Sequence, residues 1–274
     1  MTPKIKLLIS YHKPSRLLKD AVMMPIHAGR AEYAQNFASG LIPKDEYDWM
    51  LENTTGDDSG ENISHLNYAF NELTTVYWAW KNYEKIGNPD YIGFMQYRRQ
   101  FIFKESYEEA AGYDVIAAAP LDVYVTVYEQ FKRHHKIAEL DYCLNIICRD
   151  YPALYPYAQT FFYQNMINAF NMFIMKKALF FDYCRFLFDI AFKFMDNFDR
   201  SNYTAEESRT FILERMTALY LYYLSQQGNV MYTTLPVTPV EQGGDVFYRF
   251  RKCLKENGIK YTMMLLVKKI CRPK

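Results

Sequence analysis

The chain has 274 residues, half of them hydrophobic and 23% charged, with a formal net charge of +1. That is enough for one large α/β domain, or a domain with a helical annex. No apolar run reaches the ~18 residues of a membrane-spanning helix, and the stretch Ile5 to Ile9, with Lys6 inside, is too short for a signal peptide. Five cysteines (143, 148, 184, 253 and 271) include no Cys-x-x-Cys, and no His spacing completes a zinc site. This usage predicts a reduced, cytosolic environment. Aromatic residues make up 18% of the chain, chiefly 25 Tyr and 20 Phe. Amphipathic rings in such numbers suit a sugar- or base-lined cleft as well as the edges of a core.

Residues 4–10 read as a first strand, and Tyr11-His-Lys-Pro14 as the loop after it, because the residue before a proline avoids the helical region. Pro25-Ile-His-Ala-Gly-Arg30 is a loop or strand edge. Residues 30–50 look irregular, with a short helix after Pro43. The run from Gly56 to Ser64 is dense in turn formers and acids and leads into a helix over 66–85, with Leu73, Val76, Tyr77 and Trp80 on its apolar face. Gly87-Asn-Pro-Asp90 stops that helix. An apolar strand over 91–97 follows and ends in the adjacent arginines Arg98 and Arg99.

Tyr113 to Pro120 holds another strand. This alternation argues for an α/β fold with a mostly parallel sheet. Helices are predicted over 127–149, 177–198 and 206–227, with a buried strand at 170–175 and an extended stretch at 233–240. No internal repeat is visible. Residues 1–245 therefore read as one domain and 246–274 as a basic, amphipathic appendage. From Val246 onward nine Lys or Arg stand against the single Glu256, a net of +8, so the body carries −7 of the chain's +1. The apolar Tyr261-Thr-Met-Met-Leu-Leu-Val267 within that tail favours an anionic membrane surface over nucleic acid, and the acidic body points the same way.

A buried strand that delivers two guanidiniums at its carboxyl end makes a place to hold a multiply charged anion. Open α/β sheets bind ligands at that edge, and guanidinium forks match phosphate oxygens in pairs. Structural ion pairing with Glu72 or Asp57 is the alternative for Arg98 and Arg99. Asp57-Asp58, in a Gly-flanked loop, could fold around a hard cation, cap the next helix or bind a ribose. Adjacent His134 and His135 cannot hold one metal from the same face of a helix.

The blocks Tyr-His-Lys-Pro (11–14), Pro-Ile-His-Ala-Gly-Arg (25–30), Asp-Asp-Ser-Gly-Glu-Asn-Ile-Ser (57–64), Asn-Glu-Leu-Thr-Thr-Val-Tyr-Trp-Ala-Trp-Lys-Asn (71–82), Tyr-Ile-Gly…Tyr-Arg-Arg (91–99), Asn-Met-Phe-Ile-Met-Lys-Lys (171–177) and Glu-Arg-Met (214–216) resemble the "domain of unknown function 4422" family. Its members occur in bacterial capsule and exopolysaccharide clusters and are regarded as glycosyltransferases. The resemblance covers about residues 4–240. Two departures stand out. Gln96 replaces the His usual before Tyr-Arg-Arg, and Thr210-Phe-Ile-Leu213 replaces the usual Gly-Phe-(Ile/Leu)-Ser.

The resemblance implies a GT-A-like, Rossmann-type sheet that binds a nucleotide-sugar. Where that fold commonly ends a strand in a metal-binding Asp-x-Asp, this chain has Arg98-Arg99. The arginines are therefore expected to neutralise the diphosphate leaving group, with magnesium or manganese left as an open choice. The expected donor site comprises Tyr11, His12, Lys13, Asp57, Asp58 and Tyr97. Glu214 is the expected base, with Glu72 and Asp58 as substitutes, and Asn171 and Glu72 are expected to meet the acceptor. The leading expectation is transfer of a hexose, galactose or galactofuranose, from a UDP-sugar to a lipid-linked oligosaccharide at the inner face of the cytoplasmic membrane. The competing reading is a non-catalytic scaffold of the same fold within a polysaccharide-assembly complex.

Overall fold

The computed structural model describes residues 2–104, 106–201, 203 and 211–240. The chain up to Thr238 forms one compact unit. The basic segment 246–274 expected to meet a membrane lies outside the described residues. Among those described, no helix is long and apolar enough to cross a membrane.

The first half runs β1 (Ile5–Tyr11), β2 (Met23–His27), α1 (Arg30–Ala38), α2 (Lys44–Asn53), β3 (Thr55–Gly56), α3 (Asn67–Phe70), α4 (Leu73–Lys81), β4 (Tyr91–Gln96), β5 (Arg99–Phe101) and β6 (Val115–Ala118). The second half is rich in helix. A small ribbon of β7 (Leu121–Asp122) and β8 (Met166–Ile167) accompanies α5 (Val127–His134), α6 (Ile137–Asp150) and α7 (Tyr155–Tyr163). Then come β9 (Phe173–Lys176), α8 (Lys177–Asn197), α9 (Ile212–Ser225), β10 (Tyr232–Leu235) and β11 (Val237–Pro239).

The main sheet has the order β10-β6-β9-β4-β1-β2-β3. β1 pairs in parallel with β2 and β4, β2 with β3, and β10 with β6, whereas β9 runs antiparallel between β4 and β6. The fold is thus a mostly parallel α/β sheet with a helix-rich second half. Reversal of β9 has a consequence for the site. Its amino end reaches the same sheet edge as the carboxyl ends of β1, β2 and β4.

Aromatic side chains hold the sheet to its helical layer. Phe94 on β4 lies 5.3 Å from Phe173 on β9 and 5.7 Å from Phe180 on α8, centroid to centroid. Tyr183 on α8 packs on Phe173 at 5.0 Å, and its hydroxyl shares a 2.9 Å hydrogen bond with Thr217 on α9. Such ring pairs contribute about 0.5–1.5 kcal/mol each beyond their burial. These rings belong to the core rather than to a cleft.

Three sequence expectations are corrected. The helix expected over 66–85 is broken: α3 ends before Asn71, which adopts φ 50° and ψ −136°, and α4 begins at Leu73. Apolar periodicity persists across the break, so the pattern hides it. Residues 30–50 hold two helices rather than an irregular stretch. α1 buries no residue fully and has no local side-chain cap, so it leaves little trace in the sequence. The helix expected over 127–149 divides into α5 and α6 at His135-Lys136, both extended.

Candidate active site

A cleft of about 730 Å³ opens at the carboxyl edge of the sheet. Its wall can be followed strand by strand. The segment before β9 supplies Phe170 and Asn171, the end of β4 supplies Gln96 to Arg99, β1 supplies Ser10 to His12, and the β2–α1 junction supplies Ala28 and Glu32. With strands about 4.8 Å apart, the four stations span about 14 Å. Asn71 and Glu72, at the broken helix, and Phe211 and Glu214, at the start of α9, also line the cleft.

The arginine pair is set by a tight hairpin. Gln96 and Arg99 are directly opposed across β4 and β5, which leaves Tyr97 and Arg98 as the turn. Opposed residues share a face, and Arg99 Nη1 donates to Gln96 Oε1 at 2.7 Å. Arg98 is exposed and donates from Nε to the same oxygen at 3.4 Å. The Arg99 guanidinium also lies 4.3 Å above the Phe170 ring, a cation–π contact. Among the described residues neither guanidinium has a carboxylate within 4.0 Å, so the ion pairs with Glu72 or Asp57 considered above do not form. Burial and then the Arg98 charge lower the Arg99 pKa.

Gln96 joins the cations to the carboxylates. Its Nε2 donates to Glu72 Oε1 at 3.3 Å and to the Phe170 carbonyl at 3.1 Å. Asn171 Nδ2 donates to the same Glu72 oxygen at 3.0 Å, and the Phe170 N–H donates to Glu214 Oε1 at 2.9 Å. Because a carboxylate only accepts, the Asn171 amide must turn its nitrogen toward Glu72. Its Oδ1 is left buried and without a hydrogen-bond partner on the cleft wall. Burial, then the facing Glu214 charge, raise the Glu72 pKa.

Backbone strain is concentrated here. Asn71, Phe170 and Asn171 have φ of 50°, 78° and 51°, and all three line the cleft. Positive φ at a non-glycine costs on the order of 1–3 kcal/mol and persists where the surroundings demand it. The strained corner at 170–171 lets one residue's backbone meet both Gln96 and Glu214. Phe170, Asn71, Glu32 and Phe211 also line the cleft, and none of them was expected there from the sequence. Phe211 is 38% exposed and backed by His135, whose ring stacks on it at 4.7 Å. That places His135 behind the cleft wall.

The expected donor residues divide. Tyr97 is buried, stacks on Tyr11 at 5.5 Å, and meets His12 Nε2 through its hydroxyl at 3.3 Å. Tyr11 is wholly buried and its hydroxyl is engaged by the Arg16 carbonyl and the Leu18 N–H, so its ring has no face for a base. His12 has its pKa lowered to about 4 by desolvation, then by Arg98 and Lys13. It is therefore neutral near pH 7, a hydrogen-bonding group and not a charge. Lys13 is exposed and does not line the cleft.

Asp57 lies in the interior instead of on the cleft wall. Its carboxylate accepts from the Gly29 N–H at 2.8 Å, the Arg30 N–H at 3.0 Å and the Ser64 hydroxyl. It thus caps α1, which precedes it, not the helix that follows. Gly29 takes φ 73° at that cap, where a Cβ would fall 2.3 Å from Asn67 Cγ. Asp58 is exposed beside Arg30. With the Asp57 oxygens engaged, the pair does not fit a divalent cation. Among the described residues no group of three His, Cys, Asp or Glu could hold one.

The profile of the family described as "Domain of unknown function (DUF4422)" matches residues 6–227. The chain belongs to that family. WbbM, a bifunctional glycosyltransferase in its apo form, is 28% identical to this chain, with a TM-score of 0.71. The similarity covers 87% of this chain and 46% of WbbM, so the chain spans about half the length of that relative. No curated protein matches the chain.

Proposed function

We propose that this DUF4422 chain is a nucleotide-sugar-dependent glycosyltransferase of GT-A-like architecture. The observation that carries the reading is the arginine pair at the middle of the cleft, with no carboxylate of the described residues within 4.0 Å of either guanidinium. The helix end where phosphate could otherwise sit is closed. The first N–H groups of α1 are taken by Asp57, and no helix begins in residues 12–22 after β1. Likeness to a bifunctional glycosyltransferase supports the same class of activity.

In this reading Arg98 and Arg99 receive the diphosphate of a UDP-sugar, with His12 and Tyr97 beside them. The acceptor hydroxyl attacks the anomeric carbon, the bond to the phosphate oxygen breaks, and UDP leaves with that electron pair. Glu214, held by the Phe170 N–H, takes the acceptor's proton, and Glu72 and Asn171 hold acceptor hydroxyls. The sugar is a hexose, galactose or galactofuranose, and the acceptor a lipid-linked oligosaccharide of capsule or exopolysaccharide synthesis. Residues 246–274 would keep the enzyme on the anionic inner face of the cytoplasmic membrane.

UDP release from a panel of UDP-sugars, with EDTA present, tests the proposal. Arg98→Ala with Arg99→Ala should lower it by about 10²–10³-fold, the scale for losing preorganised charge at a transition state. Full activity in the double variant would end the leaving-group role.

A further inference from the structure

We infer that Glu32, at the β2 end of the cleft, binds the vicinal diol of the donor nucleoside's ribose. This rests on the nucleotide-sugar reading of the cleft and specifies which end of the ligand lies where. The wall has an order: an amide and two carboxylates around the β9 end, two guanidiniums at β4, a neutral imidazole at β1, and Glu32 beyond β2. A nucleoside diphosphate sugar has a matching order of polyol, double anion and polyol. Guanidiniums fix the diphosphate in the middle. The β9 end holds Glu214 and so takes the reacting sugar, which leaves the ribose for β2.

Glu32 is prepared for that contact. It stands in the first turn of α1, half-buried on the wall, and its Oε2 accepts the Tyr68 N–H at 2.7 Å. That bond orients the carboxylate, and its other oxygen has no ion pair or hydrogen bond among the described residues. A carboxylate accepts from two neighbouring hydroxyls at once, which suits a cis-diol. In doubly wound α/β folds an acid near the end of the second strand meets the ribose in the same position relative to the sheet edge. Asp57 and Asp58 cannot take this part, since one is interior and neither lines the cleft.

Titration calorimetry of the full chain with UDP, GDP and ADP, each beside its 2′-deoxy counterpart, tests the inference. The wild type should bind the preferred ribonucleotide about tenfold or more tighter than its deoxy form, as befits a hydrogen bond to a charged group. Glu32→Gln keeps an oxygen for the Tyr68 N–H but presents an amide nitrogen to the diol. It should bind both forms alike, at the wild type's deoxy affinity. Arg98→Ala should weaken both forms equally and preserve their ratio. Ribonucleotide binding with no preference over the deoxy form, or a preference that survives in Glu32→Gln, overturns the inference and leaves the donor reading standing. Failure of the wild type to bind any nucleoside diphosphate overturns both.

Discussion

Asp57-Asp58 and Arg98-Arg99 are the same kind of feature in a sequence: two adjacent like charges just beyond the end of a strand. Folding treats them oppositely. Asp57 is drawn inside, where two backbone N–H groups and a serine hydroxyl surround its carboxylate. The arginines stay on the cleft wall, tethered among the described residues through the neutral Gln96 amide and the Phe170 ring. An acid engaged by donors of its own chain serves stability. A cation pair held by neutral groups keeps its charge for a ligand.

This contrast predicts that the two pairs dissociate stability from activity. The largest effect on stability belongs to Asp57→Ala, which strands the α1 N–H groups and the Ser64 hydroxyl. It should cost about 3 kcal/mol in urea unfolding, whereas the double arginine variant should change stability by no more than about 1 kcal/mol, the scale of the cation–π contact it removes. Equal losses from both would erase the distinction.

Glu72→Gln should act in the other direction. Burial and Glu214 raise the Glu72 pKa in the folded state, so above the unfolded value the folded protein keeps a proton that the unfolded chain releases. Stability from this group therefore falls as pH rises through the folded pKa. The Gln variant keeps an oxygen for Gln96 and Asn171 and loses the charge. Its melting temperature should exceed the wild type's near pH 7, with the gap closing toward about pH 4, the unfolded carboxylate range. A constant gap across pH would show that packing, not charge, sets the difference. The smallest effect is expected from Asp58→Ala, within about 0.5 kcal/mol by the same unfolding measurement, because an exposed side chain without an ion pair among the described residues is lost at little cost.

Much of the site was legible because its residues sit in sequence blocks at strand ends. Arg98, Arg99, Tyr97 and His12 follow β4 and β1, Asn171 precedes β9, and all of them line one cleft with Glu72 and Glu214. Glu32 and Phe211 were not legible. Their role on the wall depends on α1, whose cap comes from Asp57 far along the chain, and on α9 being brought against the β9 end. Asn71 was hidden for a related reason, since a helical apolar pattern continues through its left-handed backbone.

Composition and local pattern determined that this chain makes a mostly parallel α/β sheet with a helical second half, and that two arginines end a central strand. Alternation and periodicity carry that information within a few residues of each position. Tertiary structure decided which charges are neutralised, because partners separated by 27 to 99 positions meet only after the strands are ordered. The reversal of β9 is the clearest instance: it places Phe170 and Asn171 at the edge where β1 and β4 end. No local pattern records a strand's direction, since pairing geometry, not side-chain alternation, sets it.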